Sequence, residues 1–114
     1  MRRSPTSKFY VTQHLVYFFA SDKHQEVKIG YTSGIPSRLE RLRVGRLDNP
    51  YLIGFIRYRT RKEARDAEAR FHQWFAEFRI RGEWFEFNTQ TRAMIERAVL
   101  ESRSLLEKVM GEFT

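Results

Sequence analysis

The sequence contains no cysteine, which excludes disulfides, thiolate zinc sites and cysteine nucleophiles. That absence fits a reducing compartment, and a cytoplasmic location is the expectation. Long hydrophobic runs are missing too. Thr12, Gln13 and His14 break the aromatic-rich stretch from Phe9 to Ala20, leaving Leu15-Val16-Tyr17-Phe18-Phe19-Ala20 as its uninterrupted apolar part. A membrane-spanning helix needs about 20 apolar residues, so no membrane partner is expected and the run reads as a buried strand. All the glycines are isolated, so no phosphate-cradling loop or dinucleotide fingerprint is present. Internal repeats, low-complexity tracts and dividing linkers are absent. Acidic residues are in the minority, Asp+Glu 14 against Lys+Arg 21, for a net charge of +7 and a pI of about 10.1. A small basic domain most often meets a polyanion, and nucleic acid is the first candidate.

What is present suffices for one folded domain. The chain has 114 residues and 13.8 kDa, with 41% hydrophobic and 15% aromatic residues. A chain of this size buries roughly two thirds of its unfolded surface and folds without staples. Residues 1–8 read as a flexible basic tail and residues 9–114 as a single domain, with 89–114 a C-terminal helix.

His14 to Ala20 is rich in strand formers, and Ser21 to Gln25 is a polar turn. Val27, Ile29 and Tyr31 alternate with Lys28 and Gly30, which predicts a second strand and an antiparallel hairpin. Pro36 starts a helix with Ile35, Leu39 and Leu42 at helical spacing, and Gly45 ends it. Tyr51 to Tyr58 reads as a third strand. Thr60 caps a helix expected to reach about Phe78, whose apolar stripe is Ala64, Ala67, Phe71, Trp74, Phe75 and Phe78. Trp84 to Phe87 is a short extended piece. A last helix runs from about Thr89 to Met110, with Asn88 or Thr89 as cap and Met94, Ile95, Ala98, Leu105 and Val109 inward. The expected class is α+β, a three-stranded antiparallel sheet flanked by helices.

Some residues resist a purely structural account. At about 100° per residue Glu68 falls within the apolar stripe of its helix. A carboxylate there is costly unless a cation or hydrogen bonds compensate. An ion pair with an arginine and a metal ligand are equal readings of it. Arg38 flanks the stripe of the first helix, where it either snorkels from a core edge or lies beside the sheet. Lys28 and Gly30 form one face of their strand. With Tyr17 buried, all three share that face and leave a hollow beside a phenol and an amine, although weak alternation in an ordinary hairpin is the plainer account of these residues taken alone. His72 follows Glu68 by one turn; the other histidines are His14 and His24, too few for a dedicated zinc site. Packing is the better account of His72, with a secondary role near phosphate.

These residues, in this order, resemble the GIY-YIG endonuclease superfamily. Leu15-Val16-Tyr17-Phe18 stands at its first motif and Val27-Lys28-Ile29-Gly30-Tyr31-Thr32 at its second. Arg38 matches the family's helix arginine and Glu68 its metal-binding glutamate. Gly82-Glu83-Trp84-Phe85 is similar to the branch carrying KIG, a later glutamate-histidine helix and EWF. The likeness covers about residues 14 to 88. Leu15 stands where the first motif has glycine, and Lys28 replaces the second tyrosine, one base for another.

The resemblance implies an endonuclease that hydrolyses phosphodiesters, of DNA first, with Mg²⁺ or Mn²⁺ as cofactor. In that reading Glu68 holds the metal, Arg38 binds phosphate, and Tyr17 or Lys28 deprotonates the attacking water. Tyr31 and Thr32 line the cleft, and Arg41, Arg43, Arg46 and Arg65 contact the backbone. Two rivals come from other classes: a catalytically inactive nucleic-acid-binding module of the same fold, and an interaction domain forming a homodimer through the C-terminal helix.

Overall fold

The structure, a computed structural model, describes residues 13–34, 40–42 and 50–111, with side chains to residue 103. Residues 1–8, the N-terminal part of the helix expected after Pro36, and Gly45 lie outside the described residues. Of that helix, Glu40 to Leu42 is seen as helical.

Among the described residues five strands make one antiparallel sheet. They are β1 (His14–Ser21), β2 (Glu26–Thr32), β3 (Tyr51–Tyr58), β4 (Arg79–Arg81) and β5 (Trp84–Glu86). Their order across the sheet is β3-β1-β2-β5-β4. The α+β class stands, but a three-stranded sheet does not. Arg79–Arg81 pairs with the Trp84 segment, and that segment extends the sheet along β2 from Glu26 to Lys28. Strands of three residues carry too little alternation to announce themselves. Gly82, at φ 49°, makes the turn between them in a backbone region that side chains rarely adopt.

Two α-helices pack on one face of this sheet. Helix α1 (Arg61–Trp74) is capped by the Thr60 hydroxyl, which accepts from the Glu63 N–H at 3.1 Å. It ends sooner than the stripe to Phe78 suggests. Phe75 turns the chain, and Ala76–Phe78 is a single 3₁₀ turn. Trp74, expected inward, is therefore half exposed at 49%, lying edge-on to Phe75 at the end of the helix. Helix α2 (Thr89–Gly111) starts with a reciprocal cap. The Thr91 N–H donates to Asn88 Oδ1 at 2.8 Å, and the Asn88 N–H to Thr91 Oγ1 at 2.9 Å.

Strand parity sorts the core. Val16, Phe18 and Ala20 of β1 join Val27 and Ile29 of β2 and Ile56 of β3 under the helices. Ala67 and Phe75 face them from α1 and its end, and Ile95 from α2; Phe18 meets Phe71 edge-on at 5.3 Å. Each such phenylalanine contributes about 1.5–3 kcal/mol on burial. On the other face, Leu15, Tyr17 and Phe19 are buried as well. A strand covered on both faces explains the unbroken apolar run from Leu15 to Ala20.

Candidate functional site at the outer edge of β2

Tyr17 pairs with Gly30 and Phe19 with Lys28, so Tyr17, Gly30 and Lys28 share one sheet face, as the parity argument expects. The Tyr17 ring occupies the space a side chain at Gly30 would need, since a Cβ there would stand 2.5 Å from the hydroxyl oxygen. Tyr17 is 1% exposed.

Strand β5 covers β2 only from Glu26 to Lys28, which leaves the next residues of β2 facing outward. Other groups meet that edge. The Ile29 N–H donates to the Glu83 carbonyl at 3.0 Å, from the turn between β4 and β5. His72 of α1 donates through Nε2 to the Ile29 carbonyl at 2.8 Å, and its ring packs 5.2 Å from Phe85. One helical turn earlier, Glu68 is half-buried. The Arg65 guanidinium lies 5.6 Å from the centre of the Tyr31 ring. Positions 65, 68 and 72 fall on one side of α1. A polar stripe of the helix thus runs along the part of β2 that β5 leaves open.

Charge concentrates where β2, α1 and the β4–β5 turn meet. Lys28 Nζ stands 3.5 Å from Glu83 Oε2 and 5.9 Å from the centre of the Trp84 ring. Burial first, then the negative charge of Glu83, push the Glu68 carboxyl above its ordinary value. His72, the Tyr31 backbone amide and Arg65 oppose that shift without cancelling it. Among the described residues no arginine forms an ion pair with Glu68, although the charge of Arg65 favours its ionised form. Tyr31 is held from its other end, its hydroxyl 3.0 Å from His14 Nδ1.

The structure brings Glu68, His72, Tyr31 and Arg65 together along β2, with Lys28 and Tyr17 on the opposite face of the sheet and Lys28 joined to the group through Glu83. Thr32 is buried and its hydroxyl bonds the Gly34 backbone, so it supports the turn. Arg41 is exposed. Arg38, Arg43 and Arg46 lie outside the described residues. His72 is a packing histidine whose Nε2 is committed to a carbonyl. The sequence reading did not single out Glu83 as a site residue, although Gly82-Glu83-Trp84-Phe85 stood out as a motif; its pairing with Lys28 across 55 positions has no local signature.

No group of three or more His, Asp or Glu side chains that could hold a metal gathers among the described residues. A closed zinc site is therefore not built from them. One half-buried carboxylate does suit Mg²⁺, which keeps several waters and takes one or two protein oxygens.

No curated protein and no solved structure matches the chain. A family model does, over residues 14–104, and it is that of the T5orf172 domain. This match corrects the assignment to the GIY-YIG endonuclease superfamily. That resemblance rested on short motifs, one without its glycine at Leu15 and one with Lys28 in place of tyrosine. The family model instead spans the sheet, α1 and the first part of α2 continuously. The chain belongs to the T5orf172 domain family.

Proposed function

We propose that this chain is a divalent-metal-dependent endonuclease that hydrolyses phosphodiester bonds of DNA in the cytoplasm. The observation that carries the reading is Glu68: a half-buried carboxylate without a partner arginine among the described residues, at the stretch of β2 beyond its pairing with β5, where Glu83 links it to Lys28. Mg²⁺ or Mn²⁺ bound there would polarise a phosphate oxygen and stabilise the leaving alkoxide. Glu68 supplies the carboxylate for it. Tyr17 and Lys28, on one sheet face, are the two groups able to take a proton from water. Arg65 and Tyr31 offer a cation and a ring to the backbone of the bound strand. Arg38 retains its proposed part in holding phosphate, as do Arg41, Arg43 and Arg46 in contacting the backbone.

The test separates the two bases. Plasmid nicking is measured for Tyr17→Phe and Lys28→Met with Mg²⁺ present. Removing the general base lowers the rate by about 10²–10⁴-fold, and removing the other group lowers it less. Equal, full activity in both variants would defeat this assignment of roles.

The Lys28–Glu83 contact favours a second reading, in which Lys28 is a fixed cation and the domain binds nucleic acid without cleaving it. That reading predicts salt-sensitive binding with a log–log slope of about −0.9 per phosphate neutralised, and no scission with any divalent metal.

A further inference from the structure

Away from the Glu68 edge, a groove of about 670 Å³ runs between β3 and the facing sides of α1 and α2. Its walls include Tyr58, Phe71 and Trp74, together with Arg57, Arg59 and Arg97. An adjoining hollow of about 280 Å³ adds Arg70 beside Tyr58 and Trp74. The volume of the main groove is in the range of ordinary ligand sites. We propose that this groove binds single-stranded nucleic acid, with Trp74 and Tyr58 stacking on bases and the arginines contacting phosphates.

Three observations lead there. Trp74 is 49% exposed and lines the groove together with Tyr58 and Phe71. Arginine surrounds it. Arg57 and Arg70 make no ion pair among the described residues. Among the described residues Arg59 and Arg97 pair with glutamates one turn along, at 3.5 and 3.0 Å, on an exposed surface where such pairs are weak. Phosphate can displace carboxylate there at little cost. Aromatic faces set among cations are the surface on which unstacked bases and their backbone bind without regard to sequence. A duplex keeps its bases stacked and cannot offer those faces.

The groove is separate from the proposed reaction site. Positions 70 and 74 lie across α1 from 65, 68 and 72. A strand bound in the groove therefore leaves the β2 edge free. The inference shares with the proposed function its nucleic-acid partner but not its reaction, so it holds equally for an inactive binding module.

The test uses the whole chain and a fluorescent oligothymidylate of about twelve nucleotides, a length within the range one small domain covers. Anisotropy is read in chelator, so that no cleavage intervenes, and sedimentation is followed in parallel. Trp74→Ala should weaken binding by about tenfold or more, and Arg70→Ala should reduce the salt dependence by about one phosphate. Both sites are exposed, and a thermal melt of each variant confirms folding. Unchanged oligonucleotide affinity in both variants overturns the groove assignment. So does loss of a dimer on Trp74→Ala with affinity unchanged, which would give the groove to a second copy of the chain. Lost affinity in a chain that never nicks supports the groove and defeats only the endonuclease reading.

Discussion

The phenol of Tyr17 lies over Gly30, filling the volume that any larger residue on β2 would claim. A Cβ at Gly30 would meet Cζ of that ring at 2.6 Å and the hydroxyl oxygen at 2.5 Å. Tyr17 is buried and cannot swing aside freely. Gly30→Ala should therefore destabilise the fold by about 1–3 kcal/mol, the usual range for overpacking, and should displace the phenol. Denaturant unfolding measures the first effect. Tyr17→Phe in the Gly30→Ala background should recover part of the lost stability, because the nearest clashing atom is the hydroxyl oxygen.

Glu68 makes stability depend on pH in a definite direction. Its folded carboxyl is raised above the ordinary 4.5, chiefly by burial and then by Glu83. The folded state thus holds a proton that the unfolded chain releases first, so stability falls as pH climbs from 4.5 through the raised value. Glu68→Gln should melt higher than wild type at pH 7. The difference should vanish below pH 4, where both carry a neutral group. For a domain of this size, each 1 kcal/mol reads as roughly 4–8 °C in Tm. Mg²⁺ at a hundredfold excess over its Kd should stabilise the wild type by about 2.7 kcal/mol and leave Glu68→Gln nearly unmoved.

The short β4–β5 hairpin depends on a fork. Arg81 donates from Nη1 and Nη2 to the two oxygens of Glu26 at 3.1 and 2.9 Å, and Glu26 is only 5% exposed. Arg81→Ala leaves that carboxylate buried without its bidentate partner and should cost about 1–3 kcal/mol. Arg81→Lys should restore less than half of this, since an ammonium cannot match both oxygens. Hydrogen exchange at Val27 and Phe85 would show the hairpin loosening first.

The sequence was informative where patterns are long. β1, β2 and β3 follow from strand formers and alternation, and the Thr60 cap from its chemistry, while for the last helix cap chemistry left Asn88 and Thr89 both open. Parity alone placed Tyr17 with Lys28 and Gly30. It was uninformative where geometry is set by remote contacts. Nothing local in Arg79–Arg81 marks it as a strand, because its partners lie in Trp84–Glu86 and, through β5, in β2. Trp74 keeps the helical spacing of a core residue, yet Phe75 ends the helix and leaves the indole outside. Glu68 stood out because a carboxylate interrupts an apolar stripe. Glu83 did not, since a glutamate in a turn is ordinary until Lys28 is found beside it. The four motif fragments carried the family resemblance but not the family, because each fixes only a few positions.

Scission of supercoiled plasmid in Mg²⁺ bears most directly on the central claim, with wild type compared to wild type in chelator and to Glu68→Ala. Nicks should form in the first case and be lost in the other two, while Glu68→Ala still binds DNA. Nicking that survives both chelator and Glu68→Ala would contradict the assigned carboxylate, and a wild type that binds but never nicks with Mg²⁺ or Mn²⁺ would contradict the endonuclease reading itself.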